Sequence, residues 1–214
     1  MSPLLDEVLE KTSARHSHLC PRQVLGARMG LAALEILGIR APVSKQTGLV
    51  ILETDGCFAD GVEVATGATI GHRTLRVNDL GKIAGTFADV KTGRTIRLGP
   101  QPEARSRALL YAPEADSRYV AQLEGYQVMP SNELFRVQDV VLNPPLEAIL
   151  SRPDARVLCA VCGEEVINER EIKVGGRNLC RTCAKSSYYR PPDRPGTMER
   201  HCDPALLATL RLLP

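Results

Sequence analysis

The sequence predicts an α+β fold, a mixed helix and sheet core domain followed by a small zinc finger. Three observations carry this expectation. Helical and strand-like apolar patterns are mixed along the first 150 or so residues, a hairpin signal lies among them, and two Cys-x-x-Cys pairs follow near the C-terminal end. The hairpin, Lys91-Thr92-Gly93-Arg94 between two strand patterns, favours α+β over a doubly wound parallel sheet.

The elements can be read in order. Leu4, Leu5, Val8 and Leu9 form an apolar stripe at helical spacing behind Ser2 and Pro3. A break follows, Arg15-His16-Ser17-His18-Leu19-Cys20-Pro21, and then a helix predicted from Pro21 to about Leu37, with Gly38 as its left-handed cap. Leu49 to Glu53 is a short continuous apolar run, the pattern of a buried strand. Asp55-Gly56 turns the chain into a helix predicted over Cys57 to Thr66 and ended by Gly67. Lys82 to Val90 and Thr95 to Leu98 are the two arms of the hairpin. Helices are predicted from Pro102 to about Leu110 and from Ser117 to Glu124, and a strand from Leu134 to Leu142, stopped by Asn143-Pro144-Pro145. Pro153 marks the end of a core domain spanning residues 1–152. A four-cysteine module over 157–189 and a Pro-rich tail over 190–214 follow, the tail closing on a helix with Leu206, Leu207 and Leu210 on one face.

Whole-chain properties narrow the function. With 214 residues, 43% of them apolar, and a net charge of +2, the chain gives no general reason to expect a nucleic acid or an anionic membrane as partner. No apolar run reaches the roughly 18 residues of a membrane span. The acidic, amphipathic start lacks the features of an export signal, so a cytoplasmic location is expected, where seven cysteines read as ligands or reactive thiols before disulfides. No phosphate-binding loop or dinucleotide fingerprint is present in the sequence.

Two stretches carry the chemistry of the core. His16, His18 and Cys20 alternate, so an extended backbone would present imidazole, imidazole and thiol to one side, the ligand types that borderline-soft divalent metals prefer. Cys57 stands at a helix start directly after a buried strand, where unpaired N–H groups favour the thiolate, as they would for Cys20 before Pro21. A cysteine in such a place packs most often as a small hydrophobe. The expected site has His16, His18, Cys20 and Cys57 as ligands of a second transition metal, most naturally zinc. Asp60, one turn after Cys57, would orient a ligand histidine or act as general base, which makes Asp60 and Cys57 the candidate catalytic pair.

Cys159-x-x-Cys162 and Cys180-x-x-Cys183, with seventeen residues between the pairs, have the spacing of a closed, structural zinc site. Gly163 relieves a knuckle turn and Gly175-Gly176 suits a hairpin tip. So short a module buries too little apolar surface to fold alone, and the metal would supply the folding energy. Seven basic and five acidic residues are well mixed from Cys159 to Arg194, which argues against nucleic acid and for docking. His201 and Cys202 are read as structurally incidental.

His16-Ser17-His18-Leu19-Cys20-Pro21, then Glu53-Thr54-Asp55-Gly56-Cys57-Phe58-Ala59-Asp60-Gly61, then Ala65-Thr66-Gly67-Ala68-Thr69-Ile70-Gly71, together resemble the FmdE family, named for a component of formylmethanofuran dehydrogenase. Some members carry a C-terminal treble-clef zinc finger, which the Cys-x-x-Cys pairs resemble. The resemblance extends to about Tyr189. Ala68 stands where the family commonly has a cysteine, and His72-Arg73-Thr74 where many members have Gly-Lys-Gly-Asn, so chemistry needing that extra thiol is not expected. The resemblance implies an α+β core with a metal-binding cleft, a homodimer, and association with a larger molybdenum or tungsten or one-carbon enzyme. Three functions follow as expectations. The first is an accessory or metal-carrier role within such an enzyme. The second is a metal-dependent enzyme using the His/Cys site, and the third a regulatory protein acting through its finger.

Overall fold

The computed structural model describes residues 3–16, 18–150, 155–184, 187 and 189. In chain order the elements are α1 (Pro3–Ser13), α2 (Pro21–Leu37), β1 (Gly48–Leu52), α3 (Cys57–Thr66), β2 (Leu75–Val77), β3 (Gly85–Asp89), β4 (Thr95–Pro100), α4 (Ala104–Tyr111), α5 (Arg118–Val128), α6 (Ser131–Leu134), β5 (Phe135–Asp139), α7 (Leu146–Ile149), β6 (Arg156–Leu158), β7 (Glu165–Ile167), β8 (Ile172–Val174), β9 (Arg177–Leu179) and α8 (Arg181–Ala184). The chain forms two compact units, Met1–Glu147 and Ala148–Pro214. The expected boundary at Pro153 and the tail over 190–214, with His201 and Cys202, lie outside the described residues.

In the first unit a five-stranded sheet has the order β2-β1-β3-β4-β5. β1 pairs parallel with β2 and antiparallel with β3, and β3–β4 and β4–β5 are antiparallel. The hairpin read at residues 91–94 is β3–β4. β1, α3 and β2 form a single β-α-β unit, which requires a crossover helix because parallel neighbours cannot be joined by a tight turn. β2 escapes sequence reading because it has three residues and only Leu75 is buried.

The two central helices begin and end where the chain chemistry dictates. Pro21, whose missing N–H costs nothing at a first helical position, opens α2, and Gly38 closes it at φ 65°. Gly56 enters α3 at φ 69° and ψ −153°, a conformation in effect reserved for glycine, and Gly67 ends it at φ 67°. The helix expected from Pro102 begins two residues later, at Ala104.

α2 and α3 pack backbone to backbone at Gly26 and Gly61. A Cβ on Gly26 would collide with the Phe58 carbonyl oxygen, and one on Gly61 with the Gln23 carbonyl and, at 2.7 Å, the Ala27 amide. A Cβ on Gly30 would lie 2.8 Å from that of Ala65. The pairings advance together along both helices, so the helices run parallel with their N-termini side by side. Around them Val24, Met29, Phe58, Val62, Leu52, Phe87, Ile96 and Leu98 form one buried cluster.

Two arginines tie the periphery down. Arg28 of α2 donates to the carbonyls of Tyr126 at 2.7 Å, Gln127 at 3.0 Å and Met129 at 2.8 Å, satisfying the orphan acceptors at the end of α5. Arg97 of β4 makes a bidentate pair with Glu53, at 2.5 and 2.7 Å. That pairing outweighs burial and holds the Glu53 carboxyl below its usual range.

Gly61→Ala should lower the unfolding free energy by about 1–3 kcal/mol, the usual cost of overpacking. Gly71→Ala, with open space around the added carbon, is the near-neutral control. Urea titration of both variants checks this.

Because Glu53 is depressed in the folded chain, its stabilisation is full above the unfolded carboxylate value of about 4.3 and is lost as pH falls through the folded value. The stability gap between wild type and Glu53→Gln should therefore be widest near neutral pH and close on acidification. A gap independent of pH would contradict this assignment.

Candidate functional site

The parallel packing of α2 and α3 sets Cys20, the N-cap of α2, beside Cys57, the first residue of α3. The Cys20 thiol is close enough to Cys57 to bear on its ionisation. Both line a cleft of about 390 Å³ together with His18, Arg22, Leu25, Ile83, Arg105, Tyr119, Gln122 and Tyr126. A larger hollow of about 1030 Å³, bordered by Leu4, Leu31, Ile39 and Val128, has no cysteine or histidine among the described residues of its wall.

Gln23 holds the entry to α2 in place, and sequence reading missed it. Fully buried, it accepts the Cys20 N–H at 2.8 Å and donates to the Thr12 carbonyl at 3.2 Å, joining the end of α1 to the cap of α2. The signal was available: a Gln three residues after a helix cap is the second half of a capping box.

The extended alternation expected for His16, His18 and Cys20 is not what the chain adopts. Arg15 and His16 continue the last turn of α1, their N–H groups bonding to the Thr12 and Ser13 carbonyls at 3.2 and 3.0 Å. The His16 Nε2 lies 2.6 Å from Asp60 Oδ2. Asp60 is also 3.7 Å from Arg15, which reaches Glu63 at 3.3 Å. Asp60 is thus placed to orient an imidazole: a histidine giving its Nε2 proton to a carboxylate leaves Nδ1 as the lone-pair atom. Among the described residues, Cys20, Cys57, His16 and His18 do not form a cluster as tight as the finger's.

The expected depression of the Cys57 thiol is corrected too. Burial pushes it up, and the neighbouring Cys20 thiol and the Asp60 charge act in the same direction, outweighing the backbone N–H. His72 is exposed in the turn after α3, where its N–H bonds to Thr69 Oγ1 at 3.1 Å. Ala68, at the position of the family cysteine, is fully buried.

In the second unit β6–β7 and β8–β9 are antiparallel hairpins followed by α8, the layout of a treble clef. Cys159 and Cys162 flank the first knuckle, while Cys180 and Cys183 stand at and within the start of α8. Their four sulfurs lie within 4.8 Å of one another, and Cys162 and Cys180 are 3.9 Å apart. Tetrahedral Zn–S bonds of about 2.3 Å put sulfurs about 3.8 Å apart, so the set fits zinc. The Cys180 N–H donates to the Cys159 sulfur at 3.3 Å, and the Cys183 N–H to the Cys180 sulfur at 3.4 Å. Burial pushes the Cys159 thiol up, but the amides of Cys162, Cys180 and Val161 prevail and bring it down to about 6. Burial drives Cys162 and Cys183 the other way.

A thiol–imidazole cleft at paired helix starts, with a four-cysteine module fitted to a metal, defines a metal-binding α+β protein. The chain belongs to the FmdE family, described as "FmdE, Molybdenum formylmethanofuran dehydrogenase operon", which matches residues 15–151. An FmdE-like protein of tungsten formylmethanofuran dehydrogenase type, from Syntrophus aciditrophicus, shares the fold, with a TM-score of 0.53 and 21% identity over 87% of this chain and 95% of that one. A probable S-adenosyl-L-methionine-binding protein of Archaeoglobus fulgidus is 31% identical over 207 residues, covering 86% of this chain. The chain spans 54% of that relative's length. Among the described residues, no helix is long and apolar enough to cross a membrane.

Cys162→Ser should release the finger metal and abolish hydrogen-exchange protection of β6 to α8, leaving the first unit's protection unchanged. Metal analysis with exchange mass spectrometry reads both effects. Retained metal with an intact finger would refute the ligand assignment.

Proposed function

We propose that this chain is an accessory metal carrier for a larger molybdenum, tungsten or one-carbon enzyme. The structural ion of its finger is zinc, and its core cleft holds a second, exchangeable transition metal. The observation that carries the reading is the juxtaposition of Cys20 and Cys57 with His18 in the wall of the same cleft. Two thiols and an imidazole supply three donors and leave a coordination position open, the arrangement that exchange or transfer requires. Ligation would take the protons from both thiols, so the raised Cys57 makes the core metal more labile toward acid than a site of depressed thiols. The family's operon description supports an enzyme partner, and the finger offers a docking module whose charge is mixed rather than cationic. Family resemblance also supports a homodimer; sedimentation at the 23.3 kDa monomer mass would remove that part of the reading.

A second reading, a metal-dependent enzyme, is favoured by the His16–Asp60 contact. A carboxylate holding an imidazole beside a metal site can position a ligand or move a proton, with Asp60 as the base and Cys57 at the reacting centre.

Metal content should fall from two per chain toward one on mild chelation while the fold survives. His18→Ala/Cys57→Ala should lose the exchangeable metal and keep the finger zinc. Unchanged affinity for the second metal in that double variant would overturn the proposal. Asp60→Asn discriminates between the two readings, since it should weaken turnover far more than metal retention only if the site is catalytic.

A further inference from the structure

We propose that the core cleft binds a small organic acid, its carboxylate held by Arg22 and Arg105 and its carbon skeleton by Leu25, Ile83 and the Tyr119 ring. The charge of the lining is one-sided. Arg22 and Arg105 border the cleft together with His18, and among the described residues no aspartate or glutamate shares its wall. Asp60, one turn along α3 from Cys57, is already engaged by His16 and Arg15. Two thiolates would neutralise a divalent metal, so a loaded site leaves the arginine charge uncancelled and an anion is the complementary ligand.

The floor of the cleft is built rather than incidental. Tyr126 is 1% exposed and shares the cleft wall with Arg105, whose charge acts on the phenol. Arg105 stands on α4 and Tyr126 on α5, and the two helices meet at Gly125, where an added Cβ would lie 3.0 Å from the Ala108 Cα. That close contact fixes α4 against α5, the two helices that carry the arginine and the phenol. Arginine's planar fork matches the two oxygens of a carboxylate. The apolar part of the wall then selects an organic acid over inorganic phosphate, and about 390 Å³ lies within the range of small-molecule sites.

The inference deepens the reading of the cleft as a metal site, and rests on it only for what shares the cleft with the acid. Saturation-transfer NMR on the 214-residue, metal-loaded chain would test benzoate, phenylacetate and succinate, each beside its amide, with inorganic phosphate as competitor. The acids should bind and the amides should not. Arg22→Gln/Arg105→Gln should weaken acid binding by about tenfold or more. Arg118→Gln, an exposed arginine of α5 outside the cleft, should not. Both changed cleft arginines are exposed, so the variants should fold, which their thermal midpoints check. Acids that fail to bind at millimolar concentration, amides that bind as well, phosphate that competes on equal terms, or binding that survives the double substitution would each overturn the proposal. Metal content measured on the same samples reports separately on the metal reading.

Discussion

Backbone-to-backbone contact between α2 and α3 is the constraint on which the rest of the first unit depends. With glycine at 26, 30 and 61, the helices approach more closely than any side chain allows. They run parallel, which an α-α hairpin could not achieve. The sheet strand β1 between them makes it possible, since the chain returns along β1 before starting α3. Two consequences follow together. Both helix starts fall at the same end, so the residue preceding α2 and the first residue of α3 become neighbours although 37 positions apart in the chain. The positive ends of the two helix dipoles also fall side by side, which biases the cleft before any side chain is counted.

The two cysteine sites show how environment decides what one residue type can do. In the finger, backbone amides aim at Cys159 and hold it as a thiolate near neutral pH, while burial drives Cys162 and Cys183 the other way. At Cys57 burial and a neighbouring thiol act against ionisation, although the residue starts a helix. The helix dipole taken alone gives the wrong sign there, because the cost of desolvating a charge beside a second sulfur exceeds what one helix terminus returns.

Much of the architecture was legible because it rests on local rules. Pro21, Gly38, Gly56 and Gly67 bound their helices at the expected residues, and the Gly93 turn predicted the β3–β4 hairpin. The four finger cysteines were legible from spacing, since Cys-x-x-Cys pairs must converge when one sits on a knuckle and the other at a helix start. Other features were not. β2 is too short to show a period, and the buried roles of Gln23 and Arg28 depend on Thr12 and on the end of α5, far along the chain. His16 could not be placed by alternation, since whether α1 extends a further turn is settled by Asp60 and Arg15 meeting across from α3.

The sequence by itself determined which residues are candidates for chemistry and where the helices begin and end, because caps, turns and ligand spacings act over a few positions. Only the tertiary structure decided which of those residues meet. Cys20 joins Cys57 because glycine contacts set the distance between two helices. His16 turns to Asp60 because a short, charge-assisted contact is available on the facing helix. Arg105 and Tyr126 share one cleft wall because α4 and α5 touch at Gly125. Each of these outcomes depends on a distance between elements, and no local pattern in the chain encodes it.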